Sequence, residues 1–163
     1  MKVSILKKVV ELRANGEKLK ALETIKACLE ENQNDAMANY QCAWCYDTLE
    51  QGKEAIPYYI KAIENGLSSE NLEGAYLGLG STYRSLGKYQ KSEEIFERAI
   101  SKFPENINFK VFYSMTLYNL GKHNKSMELL LKIISDTSND NKIKNYKDAI
   151  LFYSDKLDKN FNN

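Results

Sequence analysis

At 163 residues, 43% hydrophobic and 28% charged, the chain has the length and composition of one ordinary packed domain. Its formal net charge of +1, with acids and bases interleaved, gives no basic stripe of the kind a nucleic-acid backbone demands, so nucleic acid is not an expected partner. Lys2, Lys7 and Lys8 interrupt the apolar residues of the first ten positions, which denies them the core of a signal peptide, and no stretch is long and apolar enough to cross a bilayer. The expected compartment is the cytoplasm, with no membrane partner.

In chain order, the first segment, residues 2–34, carries Ile5, Val9 and Leu12, then Gly16, then Ala21, Ile25 and Cys28. These steps of three and four predict two helices joined at the glycine. Residues 36–68 repeat the sizes with Cys42, Ala43, Tyr46 and Leu49 before the turn and Ala55, Tyr59 and Ala62 after it. Here Glu50 stands where the glycine is expected and Gly52 follows two places later, so the turn glycine reads as displaced; Pro57 is expected within the first turn or so of its helix, where a missing amide costs little. Three extra residues fall in the 65–71 connection, where Gly66, Ser68 and Ser69 predict a loop and a helix cap.

The clearest copy is residues 73–106, with Tyr76, Leu79, Gly80, Tyr83, Gly87, Ser92, Phe96, Ala99 and Pro104. Residues 107–138 follow at a step of 34 with Tyr113, Ser114, Leu117, Leu120, Gly121, Ser126, Leu130 and Ile133. Small residues at matched places let paired helices approach, large ones fill the space between, and glycine ends the first helix in the left-handed conformation. A fixed period of this length predicts an all-α stack of antiparallel helix pairs, each needing a neighbour to bury its apolar stripe. Residues 141–158 place Ile143, Tyr146, Ile150, Tyr153 and Leu157 on one face of a single amphipathic helix, expected to cap the last pair; 159–163 read as a frayed tail. One domain over 1–158 follows.

Catalytic and metal-binding chemistry finds little support. Cys42 and Cys45 have the CxxC spacing of a redox pair or half a metal site, but they lie inside a repeat helix without a second pair, and Cys28 and Cys42 hold core positions. His123 sits beside a polar turn, far from either in sequence, and Gly74, Gly78 and Gly80 lie in a helix with no strand before them to build a phosphate loop. No catalytic residue, metal ligand or cofactor site is expected, and the chain does not read as an enzyme.

The four copies resemble tetratricopeptide repeats. More narrowly, the run Glu54-Ala55-Ile56-Pro57-Tyr58-Tyr59, then Gly66-Leu67-Ser68, Leu77-Gly78-Leu79-Gly80-Ser81-Thr82 and Leu86-Gly87-Lys88-Tyr89 resembles a small bacterial family of such proteins without an assigned role. The resemblance implies a right-handed α-solenoid of about four repeats plus a capping helix, whose first helices line a concave groove. By repeat phase that lining falls to Tyr40, Trp44, Asp47 and Thr48, then Leu77, Ser81, Arg84 and Ser85, then Val111, Met115, Tyr118 and Asn119. Relatives that clamp a terminal carboxylate do so with lysine, arginine and asparagine; here Tyr40, Trp44, Gly78, Asn108 and Phe112 stand at the matching places, so that clamp is not expected.

What the resemblance implies is a protein-binding module, adaptor or chaperone-like, that takes an apolar peptide or helix in the groove with Trp44 as its anchor. The alternative is a self-associating scaffold, a homodimer through the groove or through the outer tyrosines Tyr58 and Tyr89.

Overall fold

The structure is a computed structural model describing residues 2–161, with side chains from residue 4 onward. Among the described residues the chain forms ten helices and no strand. They are α1 (Lys2–Ala14), α2 (Lys18–Glu31), α3 (Ala36–Thr48), α4 (Gly52–Glu64), α5 (Ser69–Ser85), α6 (Tyr89–Lys102), α7 (Ile107–Asn119), α8 (His123–Thr137), α9 (Asn141–Lys144) and α10 (Lys147–Tyr153). Contacts divide the chain into two compact units, Met1–Ile95 and Phe96–Asn163, with the boundary inside α6.

Four connections share one geometry because one sequence pattern recurs. After α1, α3, α5 and α7 the backbone turns left-handed at Gly16, Glu50, Gly87 and Gly121, with φ of 83°, 60°, 72° and 73°. At each, the next amide donates back to the carbonyl of a large repeat residue: Glu17 to Leu12 at 2.8 Å, Gln51 to Tyr46 at 3.0 Å, Lys88 to Tyr83 at 2.9 Å and Lys122 to Leu117 at 2.9 Å. This is the Schellman closure, which satisfies carbonyls at a helix end. The turn glycine expected to be displaced in the second pair is therefore not displaced. Glu50 takes the left-handed conformation itself, and Gly52 opens α4, where a Cβ would stand 2.9 Å from Thr82 Cγ2.

In the first unit, α1 packs on α2, α2 on α3, α3 on α4, and α4 on α5. The packed surface is built from the expected small positions, Val9, Ala21, Ala43 and Ala55, all without exposed surface, with Ile25, Tyr59 and Leu79 filling the space between. Ser92 lies at the position of Ala55 and donates its hydroxyl to the Gly80 carbonyl at 2.8 Å, so this close approach also satisfies a polar group that would be costly to bury alone. In the second unit α7 packs on α8, and Ser126 repeats the bond to the Ser114 carbonyl at 2.7 Å. Phe96 and Phe109 are fully buried there, each stabilising by about 2–3 kcal/mol on transfer.

Three local expectations differ. Pro57 lies in the second turn of α4, so the Lys53 carbonyl loses its intrahelical partner instead of an amide that would have been free in any case. Ser68 stands at the start of α5, but its hydroxyl accepts from Asn71 Nδ2 at 2.9 Å and makes no backbone cap. The single helix expected over 141–158 is two short ones. Asp140 caps the first by accepting from the Lys142 amide, the chain tightens at Tyr146 (φ −108°, ψ 12°), and of the expected stripe only Ile143 and Ile150 are half-buried. α10 does pack on α8, helped by Lys147 Nζ at 3.0 Å from Asp136 Oδ1. In the tail, Phe161 lies with its ring centroid 5.6 Å from that of Tyr153, while Asn162 and Asn163, part of the segment expected to fray, lie outside the described residues.

Candidate functional site

Trp44, the chain's one tryptophan, projects from the middle of α3 and is 43% exposed although the rest of that helix is largely buried. Its ring is held from two sides. The Arg13 guanidinium, from the last turn of α1, lies 4.2 Å from the ring centroid, and the Tyr40 ring, one turn earlier on α3, lies 5.8 Å away at a 40° tilt. Tyr40 continues to Tyr59 at 6.3 Å. Expected as a lining residue, Tyr40 is only 7% exposed and packs between Trp44 and Tyr59.

The tyrosines reach that position because α5 has no side chains in their way. A Cβ on Gly74 would stand 2.2 Å from Tyr40 Oη, and one on Gly78 would stand 2.5 Å from both Tyr59 Cζ and Oη. Gly74 and Gly78 are clearances for rings.

One turn beyond Trp44, Asp47 joins three helices: Tyr59 Oη of α4 donates to Asp47 Oδ2 at 2.7 Å, and Thr82 Oγ1 of α5 donates to the same carboxylate at 3.1 and 3.2 Å. Burial raises the Asp47 carboxyl above its ordinary value and outweighs the two hydroxyl donors. The Tyr59 hydroxyl is pushed up strongly, by burial first and by Asp47 second. Asp47, Ser81 and Arg84 face one cavity of about 510 Å³, with Glu50 and Ser85 also on its wall. The Ser81 hydroxyl has no hydrogen-bond partner among the described residues. Thr48 and Leu77 are half-buried nearby in sequence, Thr48 donating to the Cys45 carbonyl.

In the second unit, α7 carries Val111 half-buried, Met115 40% exposed, Tyr118 63% exposed and Asn119 exposed. The Tyr118 ring lies 4.7 Å from that of His123. The structure thus brings Asp47 of α3 together with Ser81 and Arg84 of α5 in one unit, and in the other leaves Met115, Tyr118 and Asn119 of α7 exposed and Val111 half-buried.

Two cysteines that invited a redox reading are buried. Burial pushes the Cys42 thiol up to about 12 and raises that of Cys45, which leaves little thiolate for metal or disulfide chemistry. No group of three or more His, Cys, Asp or Glu among the described residues could hold a metal ion. No described helix is long and apolar enough to cross a membrane.

A family profile described as Tetratrico peptide repeat matches residues 36–157. The chain is a tetratricopeptide repeat protein. Among solved structures it is similar to MamA from Desulfovibrio magneticus RS-1, at 20% identity and a TM-score of 0.73 over 83% of this chain and 76% of that one. It is also similar to YrrB, described as a tetratricopeptide repeat protein with an unusual peptide-binding site, at 19% identity and a TM-score of 0.71 over 95% and 77%. A tetratricopeptide repeat protein from Parabacteroides merdae ATCC 43184 matches at 16% identity and a TM-score of 0.74, over 91% of this chain and 57% of that one. These likenesses establish the helical repeat solenoid. Among curated proteins none matches.

Repeat phase also identifies residues absent from the sequence-based lining. Stepping back 34 positions from Tyr40, Trp44 and Asp47 leads to Leu6, Val10 and Arg13 of this repeat protein. Leu6 and Val10 line a cavity of about 340 Å³ with Met37, Lys7 and Glu11, and Arg13 covers Trp44. The repeat signal is weak in this first copy, where Val9 occupies a small-residue position.

Proposed function

We propose that this repeat protein is an interaction module that holds an apolar segment or amphipathic helix of a partner protein along its first helices, as an adaptor or chaperone-like subunit. The observation that carries the reading is Trp44: a large indole left 43% exposed on an otherwise buried helix, with its orientation set by Arg13 and Tyr40. Preorganised aromatic rings are the commonest source of concentrated binding energy at protein interfaces. Leu77, Ser81 and Arg84 on α5, and by repeat phase Val111, Met115, Tyr118 and Asn119 on α7, extend the lining. The reading treats 1–158 as one binding domain. Family membership supports it, as does the peptide-binding site in the description of the similar YrrB.

Affinity capture from the native cell, with the wild-type chain against Trp44→Ala and against a Trp44→Ala, Met115→Ala pair, tests it. Trp44→Ala should weaken capture tenfold or more, about 1.4 kcal/mol, with helix content unchanged. Parallel loss of helix content and capture would defeat the reading.

Self-association is the second reading, favoured by the exposed rings of Phe152, Tyr153 and Phe161 beside Leu157. Sedimentation across a hundredfold concentration range separates the two, since a dimer dissolved by Phe152→Glu would support this reading and a monomer throughout would remove it.

A further inference from the structure

We infer that Arg13 is an anion-recognition residue, and that the partner segment presents an aspartate or glutamate side chain to it beside an apolar residue seated on Trp44. The inference rests on the groove reading above and names the chemistry of its ligand.

Arg13 is half-buried, and no carboxylate among the described residues accepts a hydrogen bond from it. One face of its guanidinium lies on Trp44 at 4.2 Å, and its one hydrogen bond goes to Cys45 Sγ, a weak acceptor, at 3.7 Å. A guanidinium carries five donors in a fixed fork. With the guanidinium carbon over the indole and only one nitrogen engaged, by Cys45 Sγ, donors remain to meet a carboxylate in the two-point geometry that arginine fits. None of the nearby acids is hydrogen-bonded to it among the described residues: Glu11, two residues earlier, stands on the wall of the cavity lined by Leu6 and Val10. Asp47, at the same repeat phase, accepts from Tyr59 and Thr82; Glu17, four residues on, pairs with Lys20. The half-buried guanidinium has no carboxylate at hydrogen-bond distance among the described residues, so an incoming acid would add a charge-assisted hydrogen bond without displacing one. One turn back along α1, Leu6 and Val10 with Met37 give a cavity of about 340 Å³ its apolar surface, with Lys7 and Glu11 also on its wall. That surface suits a neighbouring apolar side chain of the same segment. Arg13 differs from the terminal-carboxylate clamp in position and in ligand, because it would take a side-chain acid from within a segment.

The test is selection of peptides from a displayed library of random 12-residue sequences against wild type, Arg13→Gln, Arg13→Lys and Trp44→Ala. Wild type should return peptides at least about threefold richer in aspartate and glutamate, at a fixed spacing from an apolar residue, than Arg13→Gln returns. Arg13→Lys should keep part of the enrichment. For a selected peptide, changing its acid to the amide should weaken binding about tenfold on wild type and less than twofold on Arg13→Gln, a cycle that cancels any loss of fold in the variant. Equal acid content in the wild-type and Arg13→Gln pools, with the Trp44→Ala pool depleted, overturns this inference and leaves the groove reading standing. Pools indifferent to Trp44, or no enrichment at all, overturn both.

Discussion

Glu50 is the residue whose conformation costs the most. It holds φ of 60° where the three equivalent turns use glycine, and an L-residue there carries about 1–2 kcal/mol of steric cost. Glu50→Gly should therefore stabilise the protein by about 0.5–1 kcal/mol after the extra freedom glycine gains in the unfolded chain, as chemical denaturation will show; a neutral or destabilising result would mean Glu50 has a compensating contact. Asp47 makes a second residue-scale prediction. Its carboxyl is raised by burial from an ordinary value of 3.8, so the folded chain binds that proton more tightly than the unfolded one. The contribution is present in full below the ordinary value and is lost as pH rises through the folded value. Asp47→Asn keeps an oxygen to accept from Tyr59 and Thr82 but does not titrate. Stability measured from about pH 3 to pH 7 should accordingly fall in the wild type relative to Asp47→Asn, and parallel curves would refute the assignment.

Among the elements, α5 shows how a helix can be shaped by what its neighbours need. Alanine is normally better than glycine in a helix by about 1 kcal/mol, yet Gly74→Ala and Gly78→Ala should both destabilise, by about 1–3 kcal/mol, because each Cβ collides with a buried ring. The two collisions differ in kind. At Gly74 the worst contact is the Tyr40 hydroxyl, with the ring carbon behind it at 3.1 Å, so Tyr40→Phe should recover most of the loss. At Gly78 the ring carbons of Tyr59 themselves stand at 2.5 and 2.8 Å, so Tyr59→Phe should recover nothing, and thermal melts of the four variants will distinguish the cases. Period and residue size were enough to read the helix pairs, the turns at Gly16, Gly87 and Gly121 and the small positions Ala43, Ala55, Gly80 and Ser92, while they misread the turn at Glu50, where glycine is expected to be needed. They could not show that Gly74 and Gly78 admit rings from α3 and α4, because a clearance is a property of two elements and a repeat pattern describes one. The same limit hid Arg13 over Trp44 and buried Tyr40, which the phase placed on the lining. The break between α9 and α10 was missed for another reason: an apolar stripe at steps of three and four survives a local tightening of the backbone at Tyr146.

For the whole molecule, stability is a sum over neighbours, and the last pair depends on what covers it. α10 supplies that cover, with Ser154 buried beside it and Lys147 paired to Asp136. Ending the chain after Ser138 should lower the melting temperature by about 4 °C or more and expose apolar surface on α8, seen as increased binding of a hydrophobic dye; an unchanged melt would show that the cap is dispensable. The chain also carries a reporter of its own. With a single indole in 163 residues, open to solvent on one side and roofed by a cation on the other, ultraviolet emission from the intact, unlabelled protein observes one place only. A ligand that closes over the ring should shift that emission to the blue and shield it from acrylamide, so occupancy can be followed by titration in dilute buffer before any partner has been identified.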